Sequence, residues 1–494
     1  MVLGAVTGMG IFNFFDLSRS PVLAAVRSFA GGDQDRPISG SHPYAASAGG
    51  RLTADWAGSF VTDNIFHDAR RLRSRSRDLC RNNPYVLKAK NYLVDSIVGK
   101  GFKMQSAYCN PDGTPNEEIR NEIEQFWRSF CCSCDLSGRM TFEEMTRLAF
   151  SEMVETGDAI IRISLRTAPN SDIPFSLEIL EAENLDDSKT STESPIIRQG
   201  VEINSFRRPI AYWISSEPAR QAYLFGGTVS SQRLLARNIL HLYRIDRPSS
   251  ARGVPWLSPV MLQAKNAYEL ERAFMVRSRF EACLMAFRVT PDPLVSQEGL
   301  RPDEAEYLEP GLIKNLAPGD SILPYDPSGT ASANAIPFLN NQYQGIAAGA
   351  NVPLHDLTGD YSQVNYSSSR MAEIVARRYW RFWQKYLQEH FCQRVLERVM
   401  DVAALNDKLS FSKDYFLNPS KYCCVKWYAQ PFGILDLDKE IRANALAMQT
   451  NQLCLTEILA ERGVDFAEFV TQRAEEIRIM RELGIYNENN PQIQ

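Results

Sequence analysis

A run of about 30 residues at helical spacing, 258–287, limits the folds open to this chain more than any other feature. Pro259 sits at the first helical position, where its missing N–H costs nothing. Met261, Leu262, Lys265, Tyr268, Glu269, Arg272, Met275, Val276, Arg279, Phe280 and Cys283 follow at helical intervals. At 1.5 Å per residue the helix would be about 45 Å long. Its far face alternates in charge through Glu271, Arg277, Glu281 and Arg288. A helix so charged cannot be buried all round, and one so long does not fit a small domain. It must lie between an apolar neighbour and water. A second helix is expected from Leu339 to just before Pro353. Between the two, residues 288–338 are rich in Pro and Gly with short apolar pieces, and read as a small irregular α/β unit. Two helices flanking an insertion make a stalk, and copies of a stalk related by rotation can close into a ring.

The rest of the chain divides by period. Residues 1–50 read as a flexible N-terminal arm, Gly-, Ser- and Pro-rich from about 30 onward, with no basic n-region to suggest a signal peptide. Helix is expected over 63–98, interrupted at Pro84, because the residue before proline disfavours the helical well. Helices follow at 115–130 and 141–156, the second with Thr141 and Glu144 placed as a capping box. From Gly157 the period changes. Short β-rich segments (159–163, 175–180, 201–203, 211–214 and 238–243) make 157–247 a mostly antiparallel unit. After the polar segment 357–366 comes an aromatic-rich helix to about Leu405, and 431–494 reads as helical and acidic. The fold class is α+β.

Composition excludes several function classes. Of the 494 residues, 44% are hydrophobic and the net charge is −5, so a wholly disordered chain and a strongly basic nucleic-acid grip are both poor fits. No apolar run reaches the ~18–20 residues that span a bilayer, so no membrane association is expected. Charge is uneven: residues 51–100 carry ten Lys/Arg against five Asp/Glu, and 431–494 carry six against eleven. The basic run holding Arg71, Arg73, Arg75 and Arg77 reads either as a solvated helix face or as a contact for DNA or an acidic partner. Ten cysteines are far too few for a disulfide scaffold. Cys131, Cys132 and Cys134 lack the paired spacing of a zinc site, so no metal and no cofactor are expected. No H-E-x-x-H, nucleophile elbow or P-loop is present. His355 beside Asp356, or His390, gives a hydrolase only a weak basis, since adjacent side chains seldom face each other; no enzyme is expected.

At this point the residues resemble a known family. The stretch Arg71-Leu72-Arg73-Ser74-Arg75-Ser76-Arg77-Asp78-Leu79-Cys80-Arg81-Asn82-Asn83-Pro84, then Ile97-Val98-Gly99-Lys100-Gly101-Phe102, is similar to the N-terminal region of lambda-type portal proteins of tailed bacteriophages. Gly253-Val254-Pro255-Trp256-Leu257-Ser258-Pro259 resembles the entry to their long helix. The most specific likeness is Leu357-Thr358-Gly359-Asp360-Tyr361-Ser362-Gln363-Val364-Asn365-Tyr366-Ser367-Ser368-Ser369-Arg370. It extends over roughly 50–480 and leaves out the first 50 residues and Cys131–Cys134.

The resemblance implies a homo-oligomeric ring, typically of twelve subunits, at one capsid vertex of the virion, assembled in the host cytoplasm. Double-stranded viral DNA enters through it by a terminase motor, whose large subunit is one expected partner. Head-completion or adaptor proteins, major capsid protein and scaffold are others. Carried over, the wing takes 51–257, helical over 51–156. The first stem helix is 258–287, the clip 288–338, the second stem helix 339–351 and the tunnel loop 352–366. A long wing helix and its return take 367–430, and a crown takes 431–494. Asp360, Ser362, Gln363 and Asn365 would face DNA, and Met261, Tyr268, Met275 and Phe280 would make stem subunit contacts. The main alternative is another phage head or neck component.

Overall fold

The computed structural model describes residues 63–169, 171–215, 230–282, 286–289, 321–324, 331–362, 364–432, 437–461, 464 and 466–484. The chain divides into two units, Met1–Val61 and Thr62–Gln494. The first unit, with the expected arm, lies outside the described residues, as do most of 288–338, Gln363 and the side chain of Phe280.

The helical half begins with α1 (Asp63–Asn82) and α2 (Pro84–Ile97). They break at Asn83-Pro84 for the reason proline gives: Asn83 is extended, and its side chain accepts from the backbone of Tyr85 (3.0 Å) and Val86 (3.1 Å). A short strand, β1 (Lys103–Ser106), precedes α3 (Glu117–Cys132) and α4 (Phe142–Thr156). Thr141 and Glu144 form the complete capping box. α4 ends at Gly157, whose φ of 93° and close approach to the Gly253-Val254 backbone leave no room for a side chain.

The β-rich half holds β2 (Asp158–Ser164), β3 (Ser176–Leu180), β4 (Ile196–Arg198), β5 (Val201–Ile203), β6 (Pro209–Ser215), β7 (Ser231–Leu235) and β8 (Ile239–Tyr243). They form a three-stranded sheet ordered β3-β2-β8 and a four-stranded sheet ordered β4-β5-β6-β7, with every pair antiparallel.

The stalk departs from the expected bounds. One 3-10 turn at Ser258–Val260 leads into α5 (Met261–Ala282), and Ala286–Val289 is a strand, β9, paired antiparallel with β10 (Ser321–Pro324). At 22 residues the helix is about 33 Å long. Its predicted end was a strand because Ala286-Phe287-Arg288-Val289 finds a distant partner, which periodicity cannot see. The returning helix, α6 (Ala331–Ala350), starts eight residues before the predicted Leu339 and carries Pro337 in its first turns. A short α7 (Leu354–Thr358) interrupts the expected loop. Then α8 (Tyr366–Leu387) runs through a π turn, Gln388–Cys392, into α9 (Gln393–Leu405).

Two four-residue helices, α10 (Ser412–Tyr415) and α11 (Pro419–Tyr422), lead to β11 (Val425–Tyr428), which returns to pair with β1. The chain closes with α12 (Leu437–Gln449), α13 (Leu455–Glu461) and α14 (Phe466–Glu482). Among the described residues, no helix is long and apolar enough to cross a membrane.

One large core joins α2, α3, α4, β2, the start of α5, the end of α6, α8 and α9. Its centre is aromatic: Phe142 stacks on Phe391 (5.1 Å), Trp127 meets Phe142 edge-on (5.0 Å), and Trp256 packs on Trp383 (4.6 Å). A smaller core of Ile160, Leu185, Val201, Tyr212, Ile214 and Ile239 lies under the four-stranded sheet.

Candidate functional site

The stalk helices pack through small residues. Val260 lies against Gly349, and Gln263 against Gly345, where its amide donates to the Gln342 carbonyl (3.2 Å), so α5 and α6 run antiparallel. Ala264, Ala267, Ile346, Ala347 and Ala350 are buried. The body grips this end: Asn83 Nδ2 donates to the Ala264 carbonyl (3.1 Å), and the Tyr85 hydroxyl donates to Glu271 (3.2 Å). The expected subunit contacts therefore separate. Met261 is only 6% exposed and packs inside its own subunit, which corrects its assignment; Tyr268 is half-buried. Met275 is 55% exposed, with Val276 and Phe338 also bare.

The polar segment is shaped by its own backbone. Gly359, with φ 75°, closes α7 by donating its N–H to the His355 carbonyl (2.8 Å). Thr358 Oγ1 accepts from the Asp360 N–H (3.2 Å), and Asp360 accepts from the Ser362 N–H (2.9 Å). Hydrogen bonds from Ser362 hold the Asp360 carboxyl below the usual carboxylate range. Asp360, Ser362 and Asn365 are exposed. Residues 354–369 contain no Lys or Arg.

Asp356 ties this segment to the body. It accepts from the hydroxyls of Tyr92 (2.5 Å) and Tyr361 (2.6 Å), and His355 Nε2 lies 3.7 Å away. His355 and Asp356 do approach each other, against the sequence expectation, because α7 turns both side chains toward Tyr361. The bond to Asp356 pushes the Tyr361 phenol up to about 12. Nothing in the sequence pointed to Tyr92, which lies 264 positions from Asp356. His390 is elsewhere, its ring 4.5 Å from Tyr386 and its pKa lowered by burial.

The basic run splits between two faces of α1. Arg71 and Arg75 are exposed, Arg71 only loosely paired with Asp68 (3.8 Å). Arg73 and Arg77, one turn apart on the other face, point inward, so neither is a free contact residue. Arg77 bonds Glu183 through Nε and Nη2 (2.8 Å each) and Glu152 (3.0 Å). Arg73 is 1% exposed and donates to Asp187 (3.0 Å). Beside it, Asp158 is fully buried and accepts from Arg252 Nε (2.8 Å) and the Gly253 N–H (2.6 Å), with His241 Nε2 at 3.0 Å. Arg252 also pairs with Asp187. Burial opposes the Asp158 charge, but Arg252, His241 and Arg73 outweigh it and hold the carboxyl well below its usual range. Burial, with Arg252 alongside, lowers Arg73. The node joins α1, β2, β8 and two loops, and the acidic partners lie 75 to 114 positions from the arginines of α1.

Cys131 and Cys134 are buried core residues, and burial raises both thiols, Cys134 to about 12. Cys134 Sγ sits 3.6 Å from Met145 Sδ, and Cys132 is exposed. Among the described residues no three His, Cys, Asp or Glu side chains converge as a metal site.

Comparison with known proteins draws these features together. A probable portal protein of Halomonas phage phiHAP-1 is 25% identical over 461 residues, covering 88% of this chain and 86% of the relative. Portal protein B of Escherichia phage lambda is 22% identical over 502 residues, covering 91% of each. Among solved structures, a chain from the neck of a native GTA particle computed with C12 symmetry aligns with a TM-score of 0.44 at 12% identity, over 80% of this chain and 93% of that one. The family described as phage portal protein, lambda family, matches residues 49–384, more than half of the sequence. On that match, this chain belongs to the lambda family of phage portal proteins.

Proposed function

We propose that copies of this chain, twelve in the family's usual number, close into a ring at one capsid vertex and form the channel for double-stranded viral DNA. Terminase drives DNA inward through it, and head-completion proteins later seal or join it to the tail. The chain itself supplies no catalytic centre. In this reading 51–257 is the wing, α5 and the part of α6 from Leu339 onward are the stem, 288–338 is the clip, 352–366 the tunnel loop and the helices after 431 the crown. Exposed Met275 and the half-buried Tyr268 contact the neighbouring subunit.

The observation that carries the reading is the chemistry of the segment 359–365. It exposes Asp360, Ser362 and Asn365 and offers DNA no Lys or Arg. Every phosphate neutralised by a cation adds affinity, and affinity along a sliding path acts as friction. A polar wall with a carboxylate, held ionised by Ser362, guides a duplex without gripping it. In a packaging reaction with terminase, Asp360→Arg with Ser362→Arg should slow DNA entry severalfold at low salt and recover as salt rises, while rings still form. Unchanged packaging at low salt would refute the assignment of this segment to the channel.

A further inference from the structure

We infer that a cleft between β6, β8 and α9 docks an acidic segment of another protein chain. The inference goes beyond the portal reading and does not depend on which residues line the channel. The cleft encloses about 710 Å³ and carries Arg208, Arg237, Arg394 and Arg398 on its walls. Among the described residues, Arg208, Arg237 and Arg398 form no ion pair, unlike Arg73 and Arg77 of α1. Arg394 has only a 3.4 Å contact with His390 Nδ1. The two carboxylates present already accept internal bonds: Glu397 from Gln393 (3.1 Å) and Asp401 from the Tyr415 hydroxyl (2.9 Å). With four arginines against two carboxylates, the described walls of the cleft carry a net positive charge.

Its floor supplies a second, independent observation. The His241 side chain is 2% exposed, with Nε2 committed to Asp158 and Nδ1 without a partner among the described residues. A buried ring nitrogen left unpaired costs free energy, and a small turn of the ring toward a polar group bound in the cleft would offset that cost.

The pattern favours a peptide over nucleic acid. On α9 the signs alternate as Arg394, Glu397, Arg398, Asp401, at the i, i+3, i+4, i+7 positions of one face. A phosphodiester backbone, negative at every unit, would have to lie against Glu397 and Asp401. A peptide whose acids are interleaved with neutral or basic side chains meets the arginines and avoids the carboxylates. Nor is there a stacking platform for bases among the described residues: the Tyr212 and Tyr243 rings are turned against His241, at 5.6 and 4.4 Å.

The test uses the full chain and an Arg237→Glu/Arg398→Glu variant. Both positions are exposed, so the fold should survive, as a matching unfolding midpoint would verify. A displayed random-peptide library is selected on the wild type. The expected result is a selected set rich in Asp and Glu that binds the variant at least about tenfold more weakly. Selected peptides without acid enrichment, or with equal affinity for the variant, overturn the proposal. So does oligothymidylate that binds the wild type and is lost from the variant, since the site then serves nucleic acid. If the reversal unfolds the chain, Arg237→Gln/Arg398→Gln takes its place with the same criteria.

Discussion

Met261 and Met275 stand on nearly the same face of one helix, fourteen positions and almost four turns apart, yet one is 6% and the other 55% exposed. The near half of α5 belongs to its own subunit: α6 covers it through glycine and alanine, and α2 fastens it through Asn83 and Tyr85. The far half keeps an apolar side chain on the same face, and among the described residues nothing of comparable weight covers it. A single helix thus serves two kinds of packing, one needed to fold and one available to a second copy.

Five substitutions would break or sharpen that contrast, judged by unfolding free energy of the full chain. Met261→Asp should have the largest effect, of order 4 kcal/mol or more, because it places an unpaired charge in the subunit core. A stable folded variant would erase the distinction between the two halves. Next comes Asp158→Ala, which leaves Arg252 and Arg73 sharing the single carboxylate of Asp187 in the interior under the body that anchors the stalk; removing one partner of a buried ionic node costs about 3–5 kcal/mol. Its acid sensitivity has a definite sign. The folded carboxyl titrates below its unfolded value, so its stabilisation is complete above about pH 4 and is lost as pH falls further. Wild type and variant should therefore converge in acid, and a constant gap down to low pH would contradict the ionised assignment.

Gly349→Ala comes third. A Cβ at this position collides with Val260 Cγ1, a cost of about 1–3 kcal/mol for overpacking. Gly345→Ala should cost less, since the obstructing atoms are the movable end of Gln263. Equal costs would mean that the helices can separate freely. Met275→Asp is the smallest in folding, within about 0.5 kcal/mol because the site is exposed. It should nonetheless disperse assembled material to single chains in sedimentation, and normal assembly would remove this end of α5 from the subunit contact.

The same contrast between near and distant partners governs what the sequence disclosed. Local rules worked where the determinant is local. Thr141 and Glu144 cap α4, Asn83-Pro84 ends α1, and alternation located five strands between 157 and 247. They failed where the partner is remote. β1 and β11 pair across most of the chain, β9 is a strand only because β10 meets it, and neither was anticipated. The arginines teach this most clearly. The dense run on α1 looked like a contact surface, but Arg73 and Arg77 are neutralised by acids from β2, α4 and the loops beyond β3. Four arginines scattered from 208 to 398, with no pattern in their spacing, converge on one open cleft. Charge density along a chain does not measure charge left over after folding. Asp360, Ser362 and Asn365 are singled out by the family likeness alone, and their exposure follows from Gly359, which ends α7 and turns the chain out.

The central claim is that stalks of this kind stand side by side around an open passage. Negative-stain electron microscopy of the purified full-length chain tests it most directly. The account predicts hollow rings of uniform subunit number with a continuous central opening. A population of single compact particles, or closed assemblies without an opening, would contradict it.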